Sequence, residues 1–340
     1  AALVTARNLR QPLNLDLPER KVILGEDGVV QSVNFSERLD AHRLIEEFMV
    51  LANVAVAETL IAKKQPLLFR VHEEPSVEKM ESLRATAQSA GFNLAKGQVL
   101  KTAHLNRLLD QAAGTEEAEL INISTLRSMT QAYYSPVNFG HFGLALGCYA
   151  HFTSPIRRYA DLLVHRALVD AAAGWKTGPK DGLNGMPLDQ IAKICTHISE
   201  TEANAAAAER RTIDRFAAAL FETRLGTEVN GVIVAITGFG AFIRLEDGAA
   251  DGLLPLNGFP DDFYDHDEAA QSLDGRHNGW RFVMGLSLRV KVTEVTPVSG
   301  SILLEWVEGG LQSGTSARKS AKYVKKPRTN ASGRGAGTKS

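Results

Sequence analysis

The chain has 340 residues, of which 44% are hydrophobic and 23% charged, and its formal net charge is -1. These values are typical of a folded protein with room for two domains, and they exclude disorder over most of the length. No apolar run reaches the roughly 18 residues that a membrane span needs, and the N-terminus lacks the layout of a secretory signal, so we expect a cytoplasmic protein without a membrane partner.

The two cysteines, Cys148 and Cys195, are far apart and form no C-x-x-C pair. Neither a disulfide framework nor a zinc knuckle is indicated, and buried thiols are the simplest interpretation. The first residue is Ala rather than Met. We therefore expect further sequence upstream.

The charge is unevenly distributed. Between Arg318 and Ser340 there are eight Lys or Arg and no acidic residue, which leaves 30 basic against 39 acidic residues in 1–317. The body of the chain thus carries about -9 and the tail about +8. The tail is expected to attract polyanions without giving specificity.

The first predicted element is a long, partly buried helix over residues 40–63, with Asp40 as N-cap. Its positions at helical spacing are Leu44, Phe48, Leu51, Val54 or Ala55, and Glu58. A short strand over 67–76 then turns at Pro75, and a helix capped by Ser76 ends at Gly91. Together these elements predict a mixed α/β core.

Residues 138–155 are rich in Gly and aromatic side chains and are expected to be irregular or extended. Ser154-Pro155 favours a helix start, because Ser caps the first amides and Pro has no amide to leave unpaired. We predict a helix from 155 to about 173. A further helical region covers 188–225, in one or two pieces, and ends at Gly226.

From Gly226 onward, short β-branched strands and paired glycines over about 80 residues predict a small closed β-barrel. Past Gly309 the content of Ser, Gly and Lys predicts disorder.

Arg157 and Arg158 stand at the predicted helix start, where amides and the helix dipole favour an anion. Consecutive helix residues point about 100° apart, so one arginine can face a phosphate while the other lies against the protein. The alternative is that Asp161, at i+3 and i+4, neutralises both in a network that includes His165. Composition alone favours neither the phosphate-binding nor the ion-pair interpretation.

The barrel segment TGFGAFIRL contains Phe239 and Phe242, which can either stack on unpaired bases or fill the interior, and the core interpretation is favoured. The stretch DDFYDHDE, residues 261–268, contains closely spaced aspartates, and carboxylates are the ligands that a hard cation prefers. An acidic surface loop is the favoured interpretation.

The segment GHFGLALGCYAHFTSPIRRYADLLVHRAL resembles the RNB catalytic domain of the ribonuclease II and ribonuclease R family. The segments VNGVIVAITGFGAFIRLEDGAADGLLPL and DDFYDHDE resemble the RNA-binding S1 domain that follows it. The lysine-rich tail is similar to that of ribonuclease R. The resemblance covers about residues 1–340.

This resemblance implies a processive 3′-to-5′ exoribonuclease of RNA degradation, which uses magnesium and releases nucleoside 5′-monophosphates. It implies that Arg157 acts on the scissile phosphate, that Arg158 is structural or a backbone contact, and that Glu46 contacts the ribose. The further RNA-binding candidates are Tyr159, Glu209, Phe239, Phe242, Lys319, Lys322, Lys325 and Lys326.

Three departures from the family are visible. The family's metal-binding string D-x-x-D-x-x-D-x-D-D is absent from the 340 residues, so we expect no metal ligand here and place the string upstream. E-R-R-A and A-E-R-D are replaced by 202–205 EANA and 208–211 AERR. Pro255 stands where many S1 domains have a histidine.

The expected fold class is α+β: the C-terminal part of an RNB domain (1–226), an OB-fold S1 barrel (227–308) and a disordered basic tail (309–340). The expected partner is single-stranded RNA or RNA with a 3′ overhang, which the chain should bind without cutting. The alternatives are a non-catalytic RNA-binding protein with a degenerate RNB scaffold and a ribosome-associated factor that uses the barrel.

Overall fold

The computed structural model describes residues 2–15, 20–36, 39–95, 101–115, 117–172, 182–245, 248–268 and 270–312. Within these ranges the helices are α1 (Ala2–Arg10), α2 (Asp40–Ala62), α3 (Val77–Ser89), α4 (Thr102–Ala112), α5 (Ala118–Ser128), α6 (Tyr159–Ala171) and α7 (Leu188–Glu222). The strands are β1 (Arg20–Leu24), β2 (Val30–Phe35), β3 (Phe69–Val71), β4 (Tyr133–Ser135), β5 (Glu228–Thr237), β6 (Gly240–Leu245), β7 (Asp251–Pro255), β8 (Tyr264–Asp267), β9 (Ser272–Gly275), β10 (Trp280–Val283), β11 (Ser287–Thr296), β12 (Ser301–Glu308) and β13 (Leu311–Gln312).

The N-terminal half is mainly helical. Helices α3, α4 and α5 enclose one apolar cluster, and α2, α6 and the β3–β4 pair enclose another. The Ser76 side chain accepts a hydrogen bond from the amide of Lys79, and Gly91 has φ +84°, which confirms the predicted start and end of α3.

Helix α2 is confirmed, but it buries a different face from the one its apolar spacing suggests. Leu44, Phe48 and Leu51 are about half exposed. The buried residues of the helix are Glu47, Val50, Asn53, Ala57 and Leu60. Two polar side chains, Glu47 and Asn53, face inward because each has hydrogen-bond or ion-pair partners, described below, and such pairing reduces the cost of burial.

The predicted helix start at Pro155 is wrong by about one turn, since α6 begins at Tyr159. Residues 155–157 form a separate turn, in which the carbonyl of Ser154 accepts the amides of Arg157 and Arg158 at 3.3 and 3.1 Å. Ser at the first and Pro at the second position suit a β-turn as well as a helix start. Arg158 then takes an extended backbone conformation as the N-cap.

Helix α7 is a single 35-residue helix that joins the two halves of the molecule. Its first half packs Ile191, Cys195 and Ile198 against the helical part, and its last turns pack Ala217, Ala218 and Phe221 under the barrel. Full burial of a side chain such as Phe221 is worth roughly 1.5–3 kcal/mol. The helix ends at Glu222, about one turn before the predicted end at Gly226, which has φ +80°.

The C-terminal half is a closed five-stranded barrel with the strand order β11-β12-β7-β6-β5, and β5 pairs with β11 to complete it. Its interior is filled by β-branched and leucine side chains, among them Ile233, Ile243, Val290 and Leu304. A second sheet, β13-β10-β9-β8, packs on it through Phe282 and Tyr264. The predicted α+β class with an OB-type barrel is confirmed.

The two halves are tied together by ion pairs. Arg20, on the β1–β2 hairpin, contacts Asp251 of the barrel at 2.6 Å, and Glu119 of α5 contacts Arg244 at 3.0 Å. Val33 of the hairpin is part of the barrel's apolar core. The barrel is therefore held against the helical half at more than one point.

The remaining expectations concern cysteines, membrane spans and the tail. Cys195 is buried, whereas Cys148 is half-buried, and both are free thiols. Among the described helices, none has the length and apolar character to cross a bilayer. Residues 311–312 form strand β13, so order continues past residue 309, and Lys319, Lys322, Lys325 and Lys326 lie outside the described residues.

Candidate functional site

The candidate site is built on the arginine loop, residues 151–158, which leads into α6. Three side chains hold its backbone. Asn53 of α2 accepts the amide of Phe152 at 2.9 Å, and His165 of α6 lies 2.8 Å from the Phe152 carbonyl oxygen. Asp161 accepts the amide of Ser154 at 2.7 Å. The loop is thus fixed from α2 on one side and from α6 on the other.

The two arginines of the loop have separate environments. The Asp161 carboxylate is fully buried; Nη2 of Arg158 donates to its Oδ1 at 2.8 Å, and Nε of Arg158 lies 2.8 Å from its Oδ2. Arg157 is exposed, and in the described part of the chain its guanidinium has no hydrogen-bond or ion-pair partner. Asp161 therefore neutralises Arg158 alone.

The surface around Arg157 is unusually open. Ile156 is fully exposed, and Tyr159, in the first turn of α6, is 51% exposed. The segment that carries Arg157 therefore also exposes an apolar side chain and an aromatic ring, which are residue types that offer stacking surface to a nucleotide.

The ring of Tyr134 contacts His151, the first residue of the loop. The Tyr134 hydroxyl is 2.8 Å from Nδ1 of His151, and the Arg70 guanidinium lies over the Tyr134 ring at 4.8 Å. Burial, together with the nearby positive charges of Arg158 and Arg70, lowers the pKa of His151 to about 2. Burial also raises the pKa of Tyr134 to about 12. Both rings are therefore neutral at pH 7.

Arg70 does not add free charge to the site, because its two Nη atoms donate to the Glu202 carboxylate at 2.5 and 3.2 Å. Arg158 is likewise paired and His151 is neutral. In this cluster the unbalanced positive charge is that of Arg157.

Glu46, the predicted ribose contact, is half-buried on α2. It lies seven residues before Asn53, which is about 10 Å along the same face of the helix. The adjacent Glu47 is buried and pairs with Arg7 at 3.1 Å and Arg10 at 3.6 Å. The structure thus commits Glu47 to a structural ion pair.

Glu209 lies on the middle of α7, where the helix surface is largely exposed between residues 203 and 212. It is seven residues, or about 10 Å, beyond Glu202 along the helix. Within the described residues its carboxylate has no partner. It is free to meet a ligand but is not brought into the arginine loop.

Phe239 and Phe242 do not fill the barrel interior. Phe239 is 58% exposed on the β5–β6 turn, and Phe242 is half-buried on the outer face of β6. Their rings stand edge to face with centroids 6.2 Å apart. The favoured expectation of a core position is therefore wrong, because the alternation of β6 turns Ala241 and Ile243 inward instead.

The acidic segment 261–268 has structural partners. Asp262 accepts the backbone amides of His277 and Asn278, at 2.8 and 2.7 Å, and Asp265 pairs with Arg276 at 2.6 Å. Burial opposes ionisation of Asp262, but these hydrogen bonds outweigh it and hold its pKa below the usual range. The carboxylates therefore have structural partners, but residues Tyr264–Asp267 form strand β8, so the expectation of a loop over the whole segment is wrong.

The described residues do not fit a magnesium pair. Among them no three His, Cys, Asp or Glu side chains converge as metal ligands, and the buried Asp161 carboxylate is occupied by Arg158 and the Ser154 amide. No step of chemistry through a metal follows from these residues.

Sequence reasoning did not find the supporting roles of Asn53 and Tyr134. Asn53 stands at a buried position of a helix that is otherwise apolar there, and a polar residue on such a face is the signal that could have identified it. Its partners, Tyr149 and Phe152, are almost 100 residues away.

Comparison with known proteins agrees with this architecture. Residues 2–174 match the model of the RNB domain, and residues 222–305 match that of the S1 RNA binding domain. The order of domains is an RNB domain followed by an S1 domain.

Among curated relatives, ribonuclease R of Aquifex aeolicus is 37% identical over 87% of this chain, which spans 41% of that protein. Ribonuclease R of Mycoplasma genitalium in complex with ribose-methylated single-stranded RNA superposes with a TM-score of 0.80, at 29% identity over 90% of this chain and 48% of that one. The same protein with double-stranded RNA gives a TM-score of 0.68 at 26% identity, with the same coverage. The chain belongs to the RNB-domain family and is similar to ribonuclease R over most of its length.

Proposed function

We propose that this chain is the RNA-binding and catalytic-domain portion of a 3′-to-5′ exoribonuclease that degrades RNA to nucleoside 5′-monophosphates. It spans about two fifths of the curated relative's length. On its own it binds single-stranded RNA or the 3′ overhang of a duplex without cutting it. Ligands for magnesium belong to residues other than those described here.

The free guanidinium of Arg157 carries this proposal. A fixed cation aimed at a phosphate stabilises the charge that develops there during hydrolysis, and it needs no rearrangement at that moment. The buried Asp161, Asn53 and His165 hold the loop without neutralising Arg157. Arg158 serves this geometry. It is either structural alone or a neighbouring contact to the RNA backbone.

The barrel supplies a second contact. Exposed rings such as Phe239 stack on unpaired bases, and each such contact is worth roughly 1–3 kcal/mol. Tyr159, two residues after Arg157 in sequence, offers a similarly exposed ring. Glu46 accepts a hydrogen bond from a ribose 2′-hydroxyl, which favours RNA over DNA. The lysines of the tail add salt-dependent attraction to the RNA backbone.

A non-catalytic RNA-binding protein is the second candidate, favoured by the lack of a convergent carboxylate cluster in the described ranges. In that case the barrel and tail bind RNA while the helical half is a scaffold. The Glu209-Arg210-Arg211 sequence, which departs from the family pattern, also fits this candidate.

One experiment tests both. The chain is incubated with 5′-labelled RNA bearing a 3′ overhang, with magnesium or with a chelator, and cleavage and binding are followed on gels. We expect binding without shortening, and weaker binding for R157A but not for R107A, an exposed arginine on α4. Absence of binding would refute the proposal, and magnesium-dependent shortening would show that the chain holds a complete metal site.

The two candidates separate in a longer version of the protein. If R157A in that version reduces turnover by a much larger factor than it reduces RNA affinity, Arg157 acts on the reacting phosphate. A longer version that binds RNA and never shortens it is the non-catalytic protein.

A further inference from the structure

The imidazole of His266 lies at the edge of the barrel. His266 is on β8, and the two-residue alternation of a strand places it on the same face as Tyr264. Tyr264 packs against Phe259 and Phe282, with ring centroids 5.5 and 5.9 Å away. His266 therefore points from the second sheet toward the barrel, beyond the packed rings.

The β5–β6 turn meets it there. A Cβ atom built on Gly238 lies 4.0 Å from Nδ1 of His266. The next residue is Phe239, which is 58% exposed and adjoins Phe242. The imidazole thus borders the turn that carries Phe239, and His266, Phe239 and Phe242 are here called the ring patch.

The His266 side chain is not used by the fold. It is exposed, and in the described ranges its ring has neither a hydrogen-bond nor an ion-pair partner. Its strand neighbours are occupied: Asp265 pairs with Arg276, and Asp267 accepts the amide of Ala270. Its two ring nitrogens and its π face are therefore available for a ligand.

We propose that His266 is a base-contacting residue and the third member of the ring patch, with an unpaired nucleobase of RNA as its ligand. This rests on the proposed RNA-binding function. Histidine stacks on splayed bases and hydrogen-bonds to their edges. In a duplex both features of a base are hidden by stacking and pairing, so the contact selects single-stranded RNA.

The test uses the whole chain and 5′-fluorescein-labelled ten-nucleotide oligo(U) and oligo(A), titrated by fluorescence anisotropy. We expect H266A to bind about fivefold more weakly than wild type, the lower end for one stacked base, and H266F to recover most of the loss. The matched control is H197A, which removes an exposed histidine on α7 and should leave affinity unchanged.

A direct readout comes from the imidazole Cε1–H NMR signal of His266, assigned by its disappearance in H266F. It should shift on addition of oligo(U) and not of a blunt duplex. Failure of the wild-type chain to bind RNA would overturn the proposed function. Normal RNA binding in which F239A is weakened, while H266A or the His266 signal is unchanged, would overturn the inference about His266 alone, as would an equal shift with blunt duplex.

Discussion

Two half-buried histidines, His141 and His151, predict that the chain loses stability in mild acid. Burial and nearby positive charges lower the pKa of His151 to about 2, and burial together with the charges of His72 and Arg70 lowers that of His141 to about 3. In the unfolded chain a histidine has a pKa of about 6.5. Because these histidines bind protons in the unfolded state but not in the folded state, the free energy of unfolding falls as the pH drops below about 6.5.

The magnitude follows from that difference. At pH 5 both folded rings are still neutral, and each unfolded ring is protonated with a free-energy gain of about 2 kcal/mol. His141 and His151 together cost about 4 kcal/mol between pH 7.5 and pH 5. This is a large share of the roughly 5–15 kcal/mol that holds a domain folded.

The assay is urea denaturation followed by circular dichroism at pH 7.5 and 5.0. H151Q removes the titrating group, so its free energy of unfolding should fall by about 2 kcal/mol less than that of wild type over this interval, whatever its stability at pH 7.5. H197Q, at an exposed position on α7, serves as the control. If H151Q and wild type lose the same free energy, the imidazole is not held neutral and the reasoning is refuted.

Three further outcomes are expected. D161A leaves the Arg158 guanidinium without its buried partner and should cost about 3–5 kcal/mol in urea denaturation; a cost below 1 kcal/mol would mean that the pair does not hold the loop. F239A should weaken binding of single-stranded RNA by roughly 1–3 kcal/mol in anisotropy titrations, and an unchanged affinity would remove the exposed ring from the interface. Truncation after Gln312 removes eight basic residues and should flatten the slope of log affinity against log salt by up to about 6, whereas an unchanged slope would show that the tail makes no phosphate contacts.

The barrel could be predicted because its signals are local. Alternating β-branched residues and paired glycines specify strands and turns with little help from distant residues, and the five strands follow from them. The same holds for α3, whose Ser76 cap and Gly91 end act within a few residues.

The buried face of α2 could not be predicted in this way. Apolar spacing favoured Leu44, Phe48 and Leu51, yet the helix turns Glu47 and Asn53 inward. Their partners are Arg7, Arg10, Tyr149 and Phe152, which lie roughly 40 to 100 positions away in sequence. A buried polar side chain is stable only with its partner, and tertiary structure alone supplies that partner.

The two arginines show the same limit at the site itself. From spacing, Asp161 can reach Arg157 at i+4 and Arg158 at i+3, and the sequence does not show which arginine it pairs with. The choice depends on the turn at residues 155–157, which interrupts the helical register assumed for both. The buried Asp161 carboxylate also accepts the Ser154 amide and so holds the turn in place. It pairs with Arg158, the arginine nearer to α6. Arg157 is left outside with its charge intact, and the cation that a phosphate would meet is therefore a consequence of how Asp161 folds the loop.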